Sequence, residues 1–322
     1  MRAGAIGDFI LTLPALRALR QAFPGCRLAL AARADVLPLV EGWLAEPVIA
    51  FDSPLLTPLF VPDSDVPAPL AMLLGEIELA VLWLSEHTAQ VVAGNLRRFG
   101  ARRLIAANPL PAARHASDHL LDTLAPLGIS IPPLPSPVLS LTPALRARAD
   151  AFWQTHRLSE QTRVVALHVG SGGERKRWPL DHIIALARKW VSGAGTRALL
   201  ITGPAERALT GALGDLPPGV VPLRSPDLAT LAAIIARCHL YIGSDSGITH
   251  LAAALGVPTV ALFGPTDPLV WGPRGARVSI VQSPTARMAD LTIEAVWSAA
   301  QRLLESAPAL RREPDDEGQV MA

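Results

Sequence analysis

Apolar residues recur at helical spacing over residues 9–22, a run that stops at Pro24-Gly25, and again over 35–44, 88–98 and 118–127, the last closed by Gly128. Short apolar runs at 27–31, 48–51, 79–84 and 103–106 predict strands between them. Residues 53–69 are rich in proline and follow neither period; they predict a loop over a cleft. Residues 131–143 hold five prolines and read as an extended linker. Beyond the linker the rhythm is cleaner. Strands are predicted at 164–169, 197–202, 220–223, 239–243, 259–263 and 278–282. Helices are predicted at 180–191, 205–213, 228–236, 249–255 and 292–305. The unbroken apolar run 164–169 suits a strand covered on both faces. Such alternation implies parallel sheets wrapped by helices, in two α/β units spanning residues 1–140 and 141–310. Two facing units place a ligand in the crevice between them, at the carboxyl ends of strands. The charged stretch 311–322 is predicted to be a disordered tail.

Composition narrows the picture. The 322 residues carry a net charge of +1, which gives no electrostatic case for nucleic acid as a partner. Only Lys176 and Lys189 are lysines; the other basic residues are arginines. Cys26 and Cys238 stand in apolar runs far apart and read as reduced core residues of a cytosolic protein. The most apolar window, 66–84, is interrupted by Pro67, Pro69, Glu76 and Glu78, so no membrane span is expected. The run 9–13, flanked by Asp8 and Arg17, is not a signal peptide.

The chemistry concentrates in loops at predicted strand ends. Ser244-Asp245-Ser246-Gly247 joins a strand to a helix, so the backbone amides of Ser246, Gly247 and Ile248 lie at a helix N-terminus. Two readings fit: a helix capped by Asp245 or Ser246, or an anion site in which Gly247 admits a phosphate to the backbone. The loop from His168 to Pro179 passes through Ser171 and Gly172 to Lys176 and Arg177, which suit phosphate oxygens or form a solvated basic loop. Glu206 falls in a first helical turn, where the dipole favours a carboxylate; it also suits ribose hydroxyls. Gly264-Pro265-Thr266-Asp267 reads as a structural turn. Asp8 stands at a helix start, as N-cap or as general base. Gly193-Ala194-Gly195 precedes a strand instead of following one, which makes it a helix stop and not a dinucleotide fingerprint. His115 and His119 are spaced to share a zinc ion, but no third ligand is evident and no metal site is expected. Arg97, Arg98, Arg102, Arg103 and Arg114 form a basic group that reads as a solvated face or as the meeting point for an anionic acceptor or membrane headgroups.

Together the loops carry a resemblance. Arg2-x-Gly4-x-Ile6-Gly7-Asp8 followed by Leu11-Thr12-Leu13-Pro14 resembles the opening motif of the lipopolysaccharide heptosyltransferase family, glycosyltransferase family 9. Lys176-Arg177-Trp178-Pro179, Gly203-Pro204-Ala205-Glu206, Ser244-Asp245-Ser246-Gly247-x-x-His250 and Phe263-Gly264-Pro265-Thr266 resemble that family in the same order. The resemblance implies a GT-B fold, two Rossmann-like domains facing across a cleft. It implies inverting transfer of a sugar from a nucleotide diphosphate donor, ADP-heptose in the best-known members, with no cofactor or required metal. Asp8 would be the catalytic base and Lys176 would stabilise the leaving diphosphate. Ser171, Gly172, Arg177, Glu206, Asp245, Ser246, Gly247, Ile248 and His250 would complete the donor site. Gly7, Thr12, Arg97, Arg98 and Arg114 would face the acceptor, a lipopolysaccharide core or other envelope glycan. The location implied is the cytoplasm, with peripheral contact at the inner membrane. One departure stands out: the family opens with a buried strand before Arg-x-Gly, so the N-terminal domain is expected to lack its first strand. The alternatives are a nucleotide-sugar epimerase or hydrolase of the same fold, and a non-catalytic nucleotide-sugar-binding protein.

Overall fold

A computed structural model describes residues 1–75, 77–129, 139–159, 161–206 and 216–306. The first unit contains α1 (Ile6–Ala22), β1 (Leu30–Ala32), β2 (Val48–Ala50), α2 (Thr57–Phe60), α3 (Ala68–Leu74), β3 (Leu79–Trp83), α4 (Glu86–Arg98), β4 (Arg103–Ala107) and α5 (Ala116–Asp122). The second contains α6 (Pro143–Thr155), β5 (Arg163–His168), α7 (Leu180–Val191), β6 (Thr196–Thr202), β7 (Val220–Arg224) and α8 (Leu228–Ala236). It continues through β8 (Leu240–Ser244), α9 (Gly247–Ala254), β9 (Thr259–Phe263), α10 (Pro268–Trp271), β10 (Val278–Gln282) and α11 (Ile293–Glu305).

The second unit is built on one parallel sheet of six strands in the order β10-β9-β8-β5-β6-β7. Alternate residues of each strand serve opposite faces. Val165 and Leu167 pack with Ile183, Leu186 and Trp190 of α7 and Val296 of α11. Val164 and Ala166 pack with Leu231 of α8 and Leu251 of α9. Double coverage is why β5 reads as an unbroken apolar run. The strand order reverses direction between β5 and β8, and sheets of this kind bind ligands outside the carboxyl ends at that reversal.

The first unit has two parallel pairs, β1 with β2 and β3 with β4. Met1 and Arg2 lie between them: the Arg2 amide donates to the Ala31 carbonyl at 2.9 Å, and the Trp83 amide donates to the Met1 carbonyl at 3.1 Å. Two residues thus hold the place of the expected central strand. The units share an apolar core. Phe9, Ile10, Leu13 and Leu16 of α1 and Leu120 of α5 belong to the same buried cluster as Leu251 and Ala252 of α9.

Several elements differ from expectation. The helix expected at 35–44 is one 3-10 turn, Leu37–Leu39, because Pro38 donates no amide and Gly42 turns the chain at φ +81°. Residues 53–69 do not spread over a cleft. They form a 3-10 turn, Pro54–Leu56, then α2 and the approach to α3, with Leu56 and Leu59 buried in one cluster with Val92 and Leu96 of α4. Helix α6 was not expected; Thr142 caps it and Pro143 opens it, a start signal absorbed into the proline-rich linker. Helix α1 begins at Ile6, with Ala5 at the cap position and Asp8 in the first turn. Cys238 is buried as expected, whereas Cys26 is exposed, following the Pro24-Gly25 turn. Residues 204–206 form a 3-10 turn; the rest of the helix expected over 205–213, residues 131–138 of the linker expected over 131–143, and the tail 311–322 lie outside the described residues.

The amide nitrogen of Asn95, a buried residue of α4, lies 3.2, 3.1 and 2.8 Å from the carbonyls of Pro58, Leu59 and Val61. Asn95→Ala leaves those carbonyls without that donor, which costs about 1–3 kcal/mol. Urea unfolding should show a clearly lowered midpoint at an unchanged slope; an unchanged midpoint would refute this account of how residues 57–61 are held.

Candidate active site

The carboxyl edge of the six-stranded sheet gathers most of the motif residues. After β8 the chain turns through Asp245 into α9. Ser246 is the N-cap, its hydroxyl accepting from the Thr249 amide at 3.4 Å; Asp245 does not cap. Helix geometry leaves the amides of Gly247 and Ile248 without intrahelical acceptors, at the positive end of the helix. Under this turn lies a buried chain of polar contacts. The Ser246 hydroxyl is 3.1 Å from that of Thr249, which in turn is 3.3 Å from the Tyr241 phenol. His168, the last residue of β5, reaches Ser246 with Nδ1 at 3.5 Å. His168 was read only as part of its loop; a histidine closing an apolar strand was the available signal.

Lys176 comes from the loop after β5. Trp178 anchors that loop, its indole donating to the Leu291 carbonyl at 3.0 Å and its amide to the Ser244 hydroxyl at 3.3 Å. Lys176 Nζ donates to Asp245 Oδ2 at 2.7 Å. The Asp245 side chain is buried and the lysine is half-exposed. An ammonium has three donors, so two remain beside the open end of α9. The Ser171 hydroxyl closes its own loop by donating to the Gly173 carbonyl, Gly172 is exposed and Arg177 is half-buried. Glu206 is buried; its Oε2 accepts from the Gly203 amide at 2.9 Å, and a Cβ on Gly170 would stand 2.7 Å from the carboxylate. Glu206 therefore lies across the end of β5. Three buried polar atoms at this edge lack a hydrogen-bond partner: Arg177 Nε, Thr202 Oγ1 and Thr266 Oγ1.

Helix α1 of the first unit meets this edge end-on. A Cβ on Gly247 would stand 2.7 Å from Ile6 Cβ and 2.8 Å from the Gly7 nitrogen. A Cβ on Gly7 would stand 3.1 Å from His250. The N-termini of α1 and α9 therefore converge. Asp8, one residue on, is held by the Ala5 amide at 2.9 Å and lies 3.6 Å from Arg2. The Asp8 side chain is 30% exposed, so part of its carboxylate is open to solvent. The charges of Asp8, Asp245, Lys176 and His115 all act on His250, which burial holds neutral below its ordinary range.

Not every expected residue belongs here. Gly7 sits in the helix crossing. Thr12 is fully buried, donating to the Asp8 carbonyl at 2.7 Å and accepting from Arg2 Nε at 3.3 Å, so it has no surface for an acceptor. Arg97 and Arg98 end α4, which runs back from the carboxyl end of β3; they lie at the opposite edge of the sheet, with Arg98 paired to Asp63. Arg114 is on the cleft side, between β4 and α5, and pairs with Asp122. His115 and His119 do not form a pair: His115 Nε2 contacts the Gly272 carbonyl at 2.9 Å and His119 Nε2 the Asn108 carbonyl at 2.8 Å. Among the described residues, no three His, Cys, Asp or Glu are grouped to hold a metal, and no helix is long and apolar enough to cross a membrane.

The sequence profile of glycosyltransferase family 9 (heptosyltransferase) matches residues 93–299. A lipopolysaccharide heptosyltransferase 1 of Pseudomonas aeruginosa is 35% identical over 112 residues, 35% of this chain and 31% of that protein. The chain spans 31–52% of the length of three such curated relatives. A glycosyl transferase family 9 structure from Veillonella parvula superposes with a TM-score of 0.79 at 21% identity, covering 95% of this chain and 96% of that one. The E. coli heptosyltransferase WaaC with ADP superposes at 0.67 and 21% identity, covering 94% and 100%. These structures share the two-domain GT-B fold.

Burial lowers the pKa of His168 to about 4 from an ordinary 6.5, and that of His250 in the same direction. Between those values the unfolded chain binds protons that the folded chain does not, so stability is full above about pH 6.5 and is lost as pH falls towards 4. Each histidine accounts for up to about 1.4 kcal/mol per pH unit in that window. Thermal unfolding between pH 7 and pH 4.5 should give a midpoint that falls with acidity, with a shallower fall in His168→Gln. Equal slopes in the two proteins would remove His168 from this account.

Proposed function

The chain belongs to glycosyltransferase family 9, and from that premise we propose that it transfers a heptose from ADP-heptose to a lipopolysaccharide-core or related envelope acceptor, with inversion at the anomeric carbon. The observation that carries the reading is the convergence of Asp8 from one unit with Lys176 and the open end of α9 from the other. Asp8 accepts the proton of the acceptor hydroxyl as that oxygen attacks the anomeric carbon. The bond from that carbon to the diphosphate breaks on the opposite side, and ADP leaves with the electron pair. Negative charge grows on the departing phosphate, where Lys176 and the Gly247 and Ile248 amides stand ready without reorganisation. Asp245 sets the lysine in place. Glu206, farther along the sheet edge, is placed for ribose hydroxyls, and the unpartnered Arg177 Nε, Thr202 and Thr266 atoms offer further capacity to a polar ligand. The diphosphate charge is met by protein groups, so the reaction proposed needs no metal. The acceptor approaches from the first unit, with Arg114 on the cleft side, and the enzyme works at the cytoplasmic face of the inner membrane by peripheral contact.

Relatives named lipopolysaccharide heptosyltransferases support the substrate class, and the solved relative with ADP supports the nucleotide. Calorimetric titration with ADP, GDP and UDP, joined to an assay of ADP release on acceptor, tests the reading. ADP should bind best. Asp8→Asn should lower transfer roughly 10²–10⁴-fold while leaving ADP affinity within about twofold. Lys176→Ala should weaken ADP about tenfold, the loss of about 1.4 kcal/mol. Preference for UDP or GDP would discard ADP-heptose, product without acceptor would favour a hydrolase or epimerase, and ADP binding without turnover would favour a binding protein. EDTA should leave the rate unchanged; a rate lost to EDTA and restored by a divalent cation would overturn the metal-free mechanism.

A further inference from the structure

The α1–α9 crossing brings Asp8 to the donor turn: glycine meets glycine at the helix ends, and the apolar core shared by α1, α5 and α9 backs them. Apolar packing is non-directional, so it fixes how close the helices come more than how they are oriented. A second contact between the units lies away from that crossing. Arg274 donates to both oxygens of Asp118, Nη1 to Oδ1 at 2.6 Å and Nη2 to Oδ2 at 2.7 Å. One turn-length earlier, the Ser117 amide donates to His115 Nδ1 at 3.2 Å. That bond assigns the ring proton to Nε2, which donates to the Gly272 carbonyl at 2.9 Å. His115 and Gly272 are both buried.

We propose that His115, Asp118 and Arg274 form a positioning clamp that sets the angle between the two units, and with it the placement of Asp8 against the donor turn. Both jaws are anchored. Asp118 and His115 belong to the start of α5, which packs against α1, with Leu120 buried in the same cluster as Leu13 and Leu16. Any shift of α5 therefore carries the helix that bears Asp8. On the other side, the Gly272 amide is tied to the Pro268 carbonyl at 2.8 Å, which joins the segment to α10 at the carboxyl edge of β9. An isolated, half-exposed ion pair would hold little. Here a planar two-bond fork and a buried third bond act on one short helix, and they add directional restraint to the non-directional packing of the crossing. None of the three residues carries the chemistry; they act through α1.

The role rests on the transferase reading, so the test includes a measurement that does not depend on turnover. In kinetics, Asp118→Asn and Arg274→Gln should each lower kcat roughly tenfold to a hundredfold, the effect of a misplaced base, while ADP affinity stays within about twofold, because the donor groups all sit on the second unit. Arg274→Lys should recover part of the loss. The double variant should be no worse than the weaker single, since the pair acts as one unit. Wild-type kcat in both singles, additive losses in the double, or a parallel loss of ADP affinity would overturn the clamp. For the second measurement, spin labels go on Gln90→Cys and Arg188→Cys, both exposed, in a Cys26→Ser background. The distance distribution should be narrow in that protein and broader with Arg274→Gln added. Equal distributions would overturn the clamp whatever the activity. Broadening in a chain that transfers no sugar would keep the clamp and sink the reaction.

Discussion

The close approach of α1 and α9 is the constraint on which the site depends. At Gly7 and Gly247 two helices from different units meet with backbone against backbone, and a methyl group on Gly247 would fall 2.7 Å from Ile6 and 2.8 Å from the Gly7 nitrogen. Small residues there let the helix ends converge, so that their positive dipole ends share one volume. The apolar core running through α1, α5 and α9 holds the crossing together. Without that core the carboxylate of Asp8 and the ammonium of Lys176 would belong to separate bodies.

Charge at the crossing is arranged in opposed pairs. Lys176 is held by Asp245 and Asp8 lies beside Arg2, so acid and base alternate across the cleft. A buried, neutral His250 fills the space between the helices without adding a charge. The Lys176–Asp245 contact is only partly desolvated, since the lysine is 35% exposed. An arriving phosphate would therefore meet a lysine already pointed at the end of α9, and side-chain ordering would not be charged against binding.

Much of this was legible in the sequence. The second unit read well because its strands are covered on both faces and its turns announce themselves: helix α7 and strand β9 fall where periodicity put them. The first unit read less well because proline and glycine cut its helical pattern, as at Pro38 and Gly42, and because a proline-rich run concealed the start of α6. Of the site, the Ser-Asp-Ser-Gly turn read locally as a capped helix or as an anion site, and Ser246 does cap α9. What periodicity cannot give is which residues meet across units. Thr12 looked available and is buried under Arg2; Arg97 and Arg98 looked like an acceptor surface and sit at the far edge, because a helix that follows a parallel strand returns its C-terminus to the strand's beginning. His115 carried a zinc-like spacing, and its partner turned out to be a backbone carbonyl 157 residues away.

The division of the site has a consequence for how affinity and rate are apportioned. Lys176, Glu206, Asp245 and the start of α9 all hang on one six-stranded sheet whose loops are tied to one another through Trp178 and Asp245. These groups all belong to the second unit, so on the proposed reading donor binding is a property of that unit. Asp8 comes from the other unit on the first turn of α1, where the Ala5 amide fixes its carboxylate. Its position relative to the end of α9 is thus set by packing between units. A substitution at the inter-unit contacts would therefore move Asp8 and leave the sheet edge as it is, and one at the sheet edge would leave Asp8 in place.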